Sequence, residues 1–143
     1  MKKIALITLL LSSFPTFAQN AIETAPAAIN ENAIIDPSMD LNKTMKTMGR
    51  NFRTIERSSD WEERKTAVGE LVKYTLQAKA QGLSNPDATE DDKKAYEEGM
   101  TQLYEKITQL QAAINAQEAD KVQALIEDIK QSRRQGHQYF RVN

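Results

Sequence analysis

The sequence predicts an all-α protein, an antiparallel up-down-up-down four-helix bundle, and three observations carry that prediction. From Ser38 onward, apolar residues recur at spacings of three and four in four successive segments. The three breaks between those segments are short and carry capping residues. No alternating strand pattern and no repeat of roughly 20–50 residues competes with them. Short connections between helices mean antiparallel neighbours.

The first helix should begin near Ser38, which follows Pro37 and can cap the first turn. Its stripe is Leu41, Met45, Met48, Phe52 and Ile55, with Lys43, Lys46, Arg50 and Arg53 outside it. Ser58-Ser59-Asp60 breaks the pattern, and Ser59 with Glu62 offers a capping box for the second helix. Val68, Leu71, Val72, Thr75, Leu76 and Ala78 give that helix a broader apolar face, and Gly82 suits a left-handed end. A polar loop with Asn85-Pro86-Asp87 follows. Thr89 and Asp92 repeat the cap spacing for the third helix, whose stripe is Tyr96, Met100, Leu103, Ile107, Leu110 and Ile114. After a break at 115–118, the fourth stripe runs Val122, Ile126, Ile129, Arg133, Gly136, His137 and Phe140.

The N-terminus reads as an address. Lys2 and Lys3 precede an apolar run over 4–11, and Thr16-Phe17-Ala18 sets small residues where a signal peptidase cuts. The run is far short of the roughly 20 apolar residues that span a bilayer. Residues 1–18 are therefore expected to be a cleaved signal peptide and the protein periplasmic, without stable membrane insertion. Residues 19–37 hold Pro26 and Pro37, show no sustained periodicity, and read as a flexible leader; 38–143 is the bundle. The 125 residues after Ala18 are enough for one domain without staples.

Composition narrows the chemistry. The chain has no cysteine, which removes disulfides, thiolate metal sites and a thioether-attached haem. The formal charge is −1, with no net basic excess to draw nucleic acid or anionic membrane. A single histidine excludes a His-rich zinc site and a paired Glu-x-x-His di-iron site. No enzyme constellation remains, so the protein is not expected to be an enzyme.

That histidine, His137, falls about 60° from Val122 on a helical wheel, at the edge of the buried arc, and Met45 lies about 40° from Leu41, inside its stripe. In the expected topology the start of the first helix and the end of the fourth share one end of the molecule. Met45 is about 10 Å from one helix start and His137 about 9 Å from the chain end, a similar depth. One imidazole and one thioether from opposite sides are what a six-coordinate Met/His haem needs. Gly136 clears space where a flat macrocycle would press, and Gly99 sits similarly beside Met100. Arg133, Arg134 and Arg141 could neutralise propionates. Against this, a histidine at a stripe's edge is ordinarily a surface residue and a methionine in a stripe is ordinarily core filler. Met39, Met48 and Met100 are rival thioethers, Met48 the nearest.

The segments Met39-Asp40-Leu41 through Met45-Lys46-Thr47-Met48, and Ser132-Arg133-Arg134-Gln135-Gly136-His137-Gln138-Tyr139-Phe140-Arg141, resemble the soluble cytochrome b562 family. The resemblance covers about 39–141 and is strongest at its two ends. It implies one non-covalent haem b per chain, with Met45 and His137 as axial ligands, Arg133 beside the haem edge and Arg141 near the pocket. Lys94-Ala95-Tyr96-Glu97-Glu98-Gly99-Met100 resembles the family's aromatic-containing stretch, which would set Tyr96 and Met100 against the macrocycle. The family has phenylalanine where Tyr96 and Met100 stand, so a more polar and softer pocket is expected. Gly136 replaces a larger residue, and the leader has no counterpart. The expected function is single-electron transfer with a small redox protein as partner and the chain a monomer. The alternatives are a haem-free binding or chaperone-like bundle, and haem storage or sensing.

Overall fold

The computed structural model describes residues 36–140, and within them the chain forms four helices and no strand. Helix α1 spans Leu41–Arg57, α2 Trp61–Gln81, α3 Glu90–Asn115 and α4 Ala119–Phe140. Each helix packs on the next, α1 on α2, α2 on α3 and α3 on α4, as the all-α bundle expectation requires. The expected signal peptide, most of the leader, and Arg141 lie outside the described residues.

The helix starts show what the sequence signals do locally. Asp40, not Ser38, caps α1: its carboxylate accepts from the Lys43 N–H at 2.7 Å. Ser38 turns back instead, its N–H and hydroxyl both donating to Asp36 at 2.9 and 2.6 Å. Asp60, not Ser59, caps α2 through the Glu62 N–H at 2.8 Å. At α3 the expected box forms in full: Thr89 Oγ1 accepts from the Asp92 N–H, and the Asp92 carboxylate accepts from the Thr89 N–H. Gly82 ends α2 at φ 68°, ψ −178°, a region that is essentially glycine's alone.

The core sits between the helices, with Ile55, Val68, Leu71, Ile107, Leu110, Ile114, Val122 and Ile126 at most 2 % exposed. Each such side chain contributes about 1.5–3 kcal/mol by leaving water. A polar network ties the approach to α1 onto α2. Gln77, 1 % exposed, donates to Thr44 Oγ1 at 3.2 Å and accepts from the Asp36 N–H at 3.4 Å, while Gln81 donates to the Met39 carbonyl. Burial without these partners would cost Gln77 several kcal/mol, on the order of 2–7.

Candidate functional site

Helices α1 and α4 run antiparallel along a shared seam, and two contacts fix their register. Lys130 Nζ lies 3.3 Å from Glu56 Oε1, and the Arg133 guanidinium sits 5.7 Å from the Phe52 ring centroid. Phe52 and Glu56 follow Met45 by two and three turns on one flank of α1, so Met45 lies on the α4-facing flank. His137 follows Arg133 by one turn and Lys130 by two, so it lies on the α1-facing flank. The same register brings His137 level with Met48 and Gly49, and Met45 level with Phe140. The imidazole and the Met45 thioether thus belong to facing flanks, about one turn or ~5 Å apart along the axis. Counting residues from helix ends made the depths equal; only contacts across the seam reveal the offset.

Burial separates the candidates. Met45 is half-buried at the margin of the core. Met48 is 7 % exposed and Met100 5 %, both inside the core. His137 is exposed, further out than the edge of the buried arc where the helical wheel set it. The reason is that the buried residues of α4 end at Ile129; beyond it the seam is open. A Cβ added at Gly136 or at Gly49 would meet nothing within 4 Å. The same holds at Gly69, Gly82 and Gly99, so this does not single out Gly136. Gly49 was passed over in the sequence, although it stands one turn from Met45 near the same flank.

Helix α3 closes the other side. Lys106 bridges to Asp128 at 2.9 Å and to Ser132 at 2.8 Å, and the Tyr96 and Phe140 rings meet edge-to-face at 5.7 Å. That register sets Met100 level with Gly136. Tyr96, Met100, Gly136 and Phe140 consequently gather at one end of the bundle, beside the Met45–His137 seam. The Tyr96 hydroxyl donates to the Ala78 carbonyl at 2.9 Å, and burial pushes its pKa up to about 12. Its polar atom therefore faces α2, and the greater polarity expected of a tyrosine there does not come from its hydroxyl. Arg133 is exposed with its guanidinium over Phe52, one turn above His137. A cavity of about 390 Å³ lies elsewhere, at the α2–α3 junction around Leu76, Gly82, Leu83 and Lys93, and shares only Tyr96 with this group.

A half-buried thioether and an exposed imidazole thus stand on facing flanks of α1 and α4. The fold is that of the antiparallel four-helix bundles, a class in which cofactor sites are built from side chains on facing helices. Within that class the chain belongs to the cytochrome b562 family, whose model matches residues 40–141 and so takes in all four helices. No curated protein matches the chain. The family is one of haem b electron carriers rather than enzymes. No helix of the described residues is long and apolar enough to cross a membrane.

Proposed function

We propose that this chain is a periplasmic electron carrier holding one non-covalent haem b in the α1–α4 seam, with Met45 and His137 as axial ligands. The observation that supports it most is that the chain's one imidazole and its most accessible seam thioether lie on facing flanks. When bound, the haem iron supplies a one-electron couple. Met45 would supply a soft sulfur donor, which favours the reduced ion and raises the potential, and His137 would supply a nitrogen donor. Because both donors come from the protein, little rearranges when the charge changes. Met48 is the poorer donor: swinging it into the seam would empty a core position at a cost of about 2–5 kcal/mol.

Phe52, Tyr96, Met100 and Phe140 keep water from the inner face of the seam. The bond from Tyr96 to Ala78 holds the tyrosine ring in one orientation. Arg133 and Arg141 would be the residues to neutralise the cofactor's carboxylates, a task suited to guanidinium groups. Titration of the purified protein with haemin tests the reading. One equivalent should be taken up, and reduction should give the sharp bands of a low-spin ferrous haem. A protein that stays colourless and fails to take up haemin overturns it. Haem storage is separated by the off-rate: fast loss with no turnover by a protein donor contradicts electron transfer. The export half of the proposal is tested by N-terminal sequencing of the mature protein, which should begin at Gln19.

A further inference from the structure

Five basic residues form one exposed stripe along α1: Lys43, Lys46, Arg50, Arg53 and Arg57, spaced three, four, three and four. The stripe lies on the side of the helix opposite its buried Met48, Phe52 and Ile55. Among the described residues none of the five is in an ion pair, whereas Lys65, Lys93, Lys94, Lys106, Lys121 and Lys130 on the other helices each have a carboxylate within 4.0 Å. The one acid of α1, Glu56, is turned to Lys130. The molecule is formally −1 as a whole, and although Arg64, Lys73, Arg133 and Arg134 on α2 and α4 also lack an ion pair among the described residues, α1 carries the longest single row of unpaired cations. At the C-terminal end of the stripe a shallow hollow of about 410 Å³ is lined by Arg50, Arg53, Thr54, Arg57, Ser58 and Glu63.

We propose that this face docks an acidic protein that exchanges electrons with the α1–α4 seam; the inference rests on the electron-carrier reading above. Lys43 and Lys46 flank Met45 in the chain, so a partner seated on the stripe lies one helix thickness, about 10 Å, from the seam. Arginine forks in the hollow match carboxylates with two parallel hydrogen bonds. A carrier must also let go, and a small charge-steered contact combines fast encounter with weak binding. A lipid surface fits less well. The exposed large hydrophobic residue among the described residues is Tyr139 on α4, so α1 has no apolar group to insert.

The test uses the haem-loaded protein and reduced plant-type [2Fe–2S] ferredoxin, a strongly acidic one-electron donor, with uncharged hydroquinone as the non-docking reductant. Reduction by ferredoxin should slow about tenfold or more between roughly 10 and 300 mM salt. Arg50→Gln/Arg53→Gln/Arg57→Gln should slow it about tenfold at low salt, with the hydroquinone rate unchanged. Lys65→Gln/Lys93→Gln/Lys121→Gln, which removes as many cations elsewhere, should have little effect. Equal slowing in both triple variants, or none in the arginine variant, overturns the proposal. So does loss of binding to phosphatidylglycerol vesicles with the ferredoxin rate unchanged, which would assign the face to lipid. Sedimentation velocity with oxidised ferredoxin reads docking without reference to haem. Complex formation by a chain that takes up no haem contradicts the electron-carrier reading alone, and haem uptake without a salt-sensitive complex contradicts the docking face alone.

Discussion

The α2–α3 layer and the α1–α4 seam are written in the same three-and-four spacing, yet they fold into different things. Between α2 and α3 the stripe positions Leu71, Ile107, Leu110 and Ile114 are at most 2 % exposed, and Tyr96 ties the two helices through the Ala78 carbonyl. Along the last ten residues of α4 the stripe positions are Arg133, Gly136, His137 and Phe140, and none is buried. Opposite them Met45 is only half-buried and Gly49 presents no side chain. One region closes on itself; along the other a thioether, an imidazole and an aromatic ring are left short of full burial. Stability is concentrated in the first, and the second contributes less to it.

Truncation should expose this contrast most strongly. Leu110→Ala, at the centre of the closed layer, should cost about 2–5 kcal/mol in urea unfolding of the haem-free protein. His137→Ala in the same protein should change stability by no more than about 0.5 kcal/mol, because the side chain is exposed. Comparable losses for the two would mean that the seam is core after all.

Tyr96 gives a sharper reading of the closed layer. Tyr96→Phe leaves the Ala78 carbonyl without its side-chain donor and should cost about 1–3 kcal/mol. The folded pKa of about 12 lies above the ordinary 10.0, so the folded state holds this proton more tightly than the unfolded chain. The resulting stability is present in full below pH 10 and is lost as pH rises toward 12. Urea midpoints of the wild-type protein should fall across that interval. The Tyr96→Phe variant should lack this component of the fall, and an identical alkaline slope in both proteins would contradict the assignment.

Smaller effects belong to the ends and the surface. Thr89→Ala removes the hydroxyl that caps α3 and should cost about 1 kcal/mol. Lys130→Gln breaks the pair with Glu56 across the seam, and because such partly exposed pairs are screened by solvent it should cost about 0.5 kcal/mol or less. A loss of several kcal/mol there would show that the seam is held together by charge rather than by its packed neighbours.

The fold was legible because bundle helices announce themselves through period and caps. The Thr89–Asp92 box and the positive φ at Gly82 follow directly from residue type. The caps at Asp40 and Asp60 were shifted by one or two residues, since several hydroxyl and carboxylate side chains stood close together and only local geometry chooses among them. Ser38 is taken by Asp36, and Ser58, beside Ser59, donates to Glu63. Gln77 was invisible as a buried residue: pattern reading assigns a glutamine to the surface, and its burial depends on partners 33 and 41 residues away. That Met45 and His137 stand on neighbouring antiparallel helices followed from topology. Their offset of one turn, and the exposure of His137, did not, because a helical wheel does not say which neighbour covers each flank.

The proposed ligand pair is His137 with Met45, not with the better-buried Met48. Reduced optical spectra of the haem-loaded Met45→Ala and Met48→Ala variants test it most directly. Met45→Ala should lose the sharp low-spin bands and turn toward high spin, while Met48→Ala keeps the low-spin spectrum and loses only stability. A high-spin spectrum in Met48→Ala alongside an unchanged Met45→Ala would contradict the account and move the ligand one turn along α1.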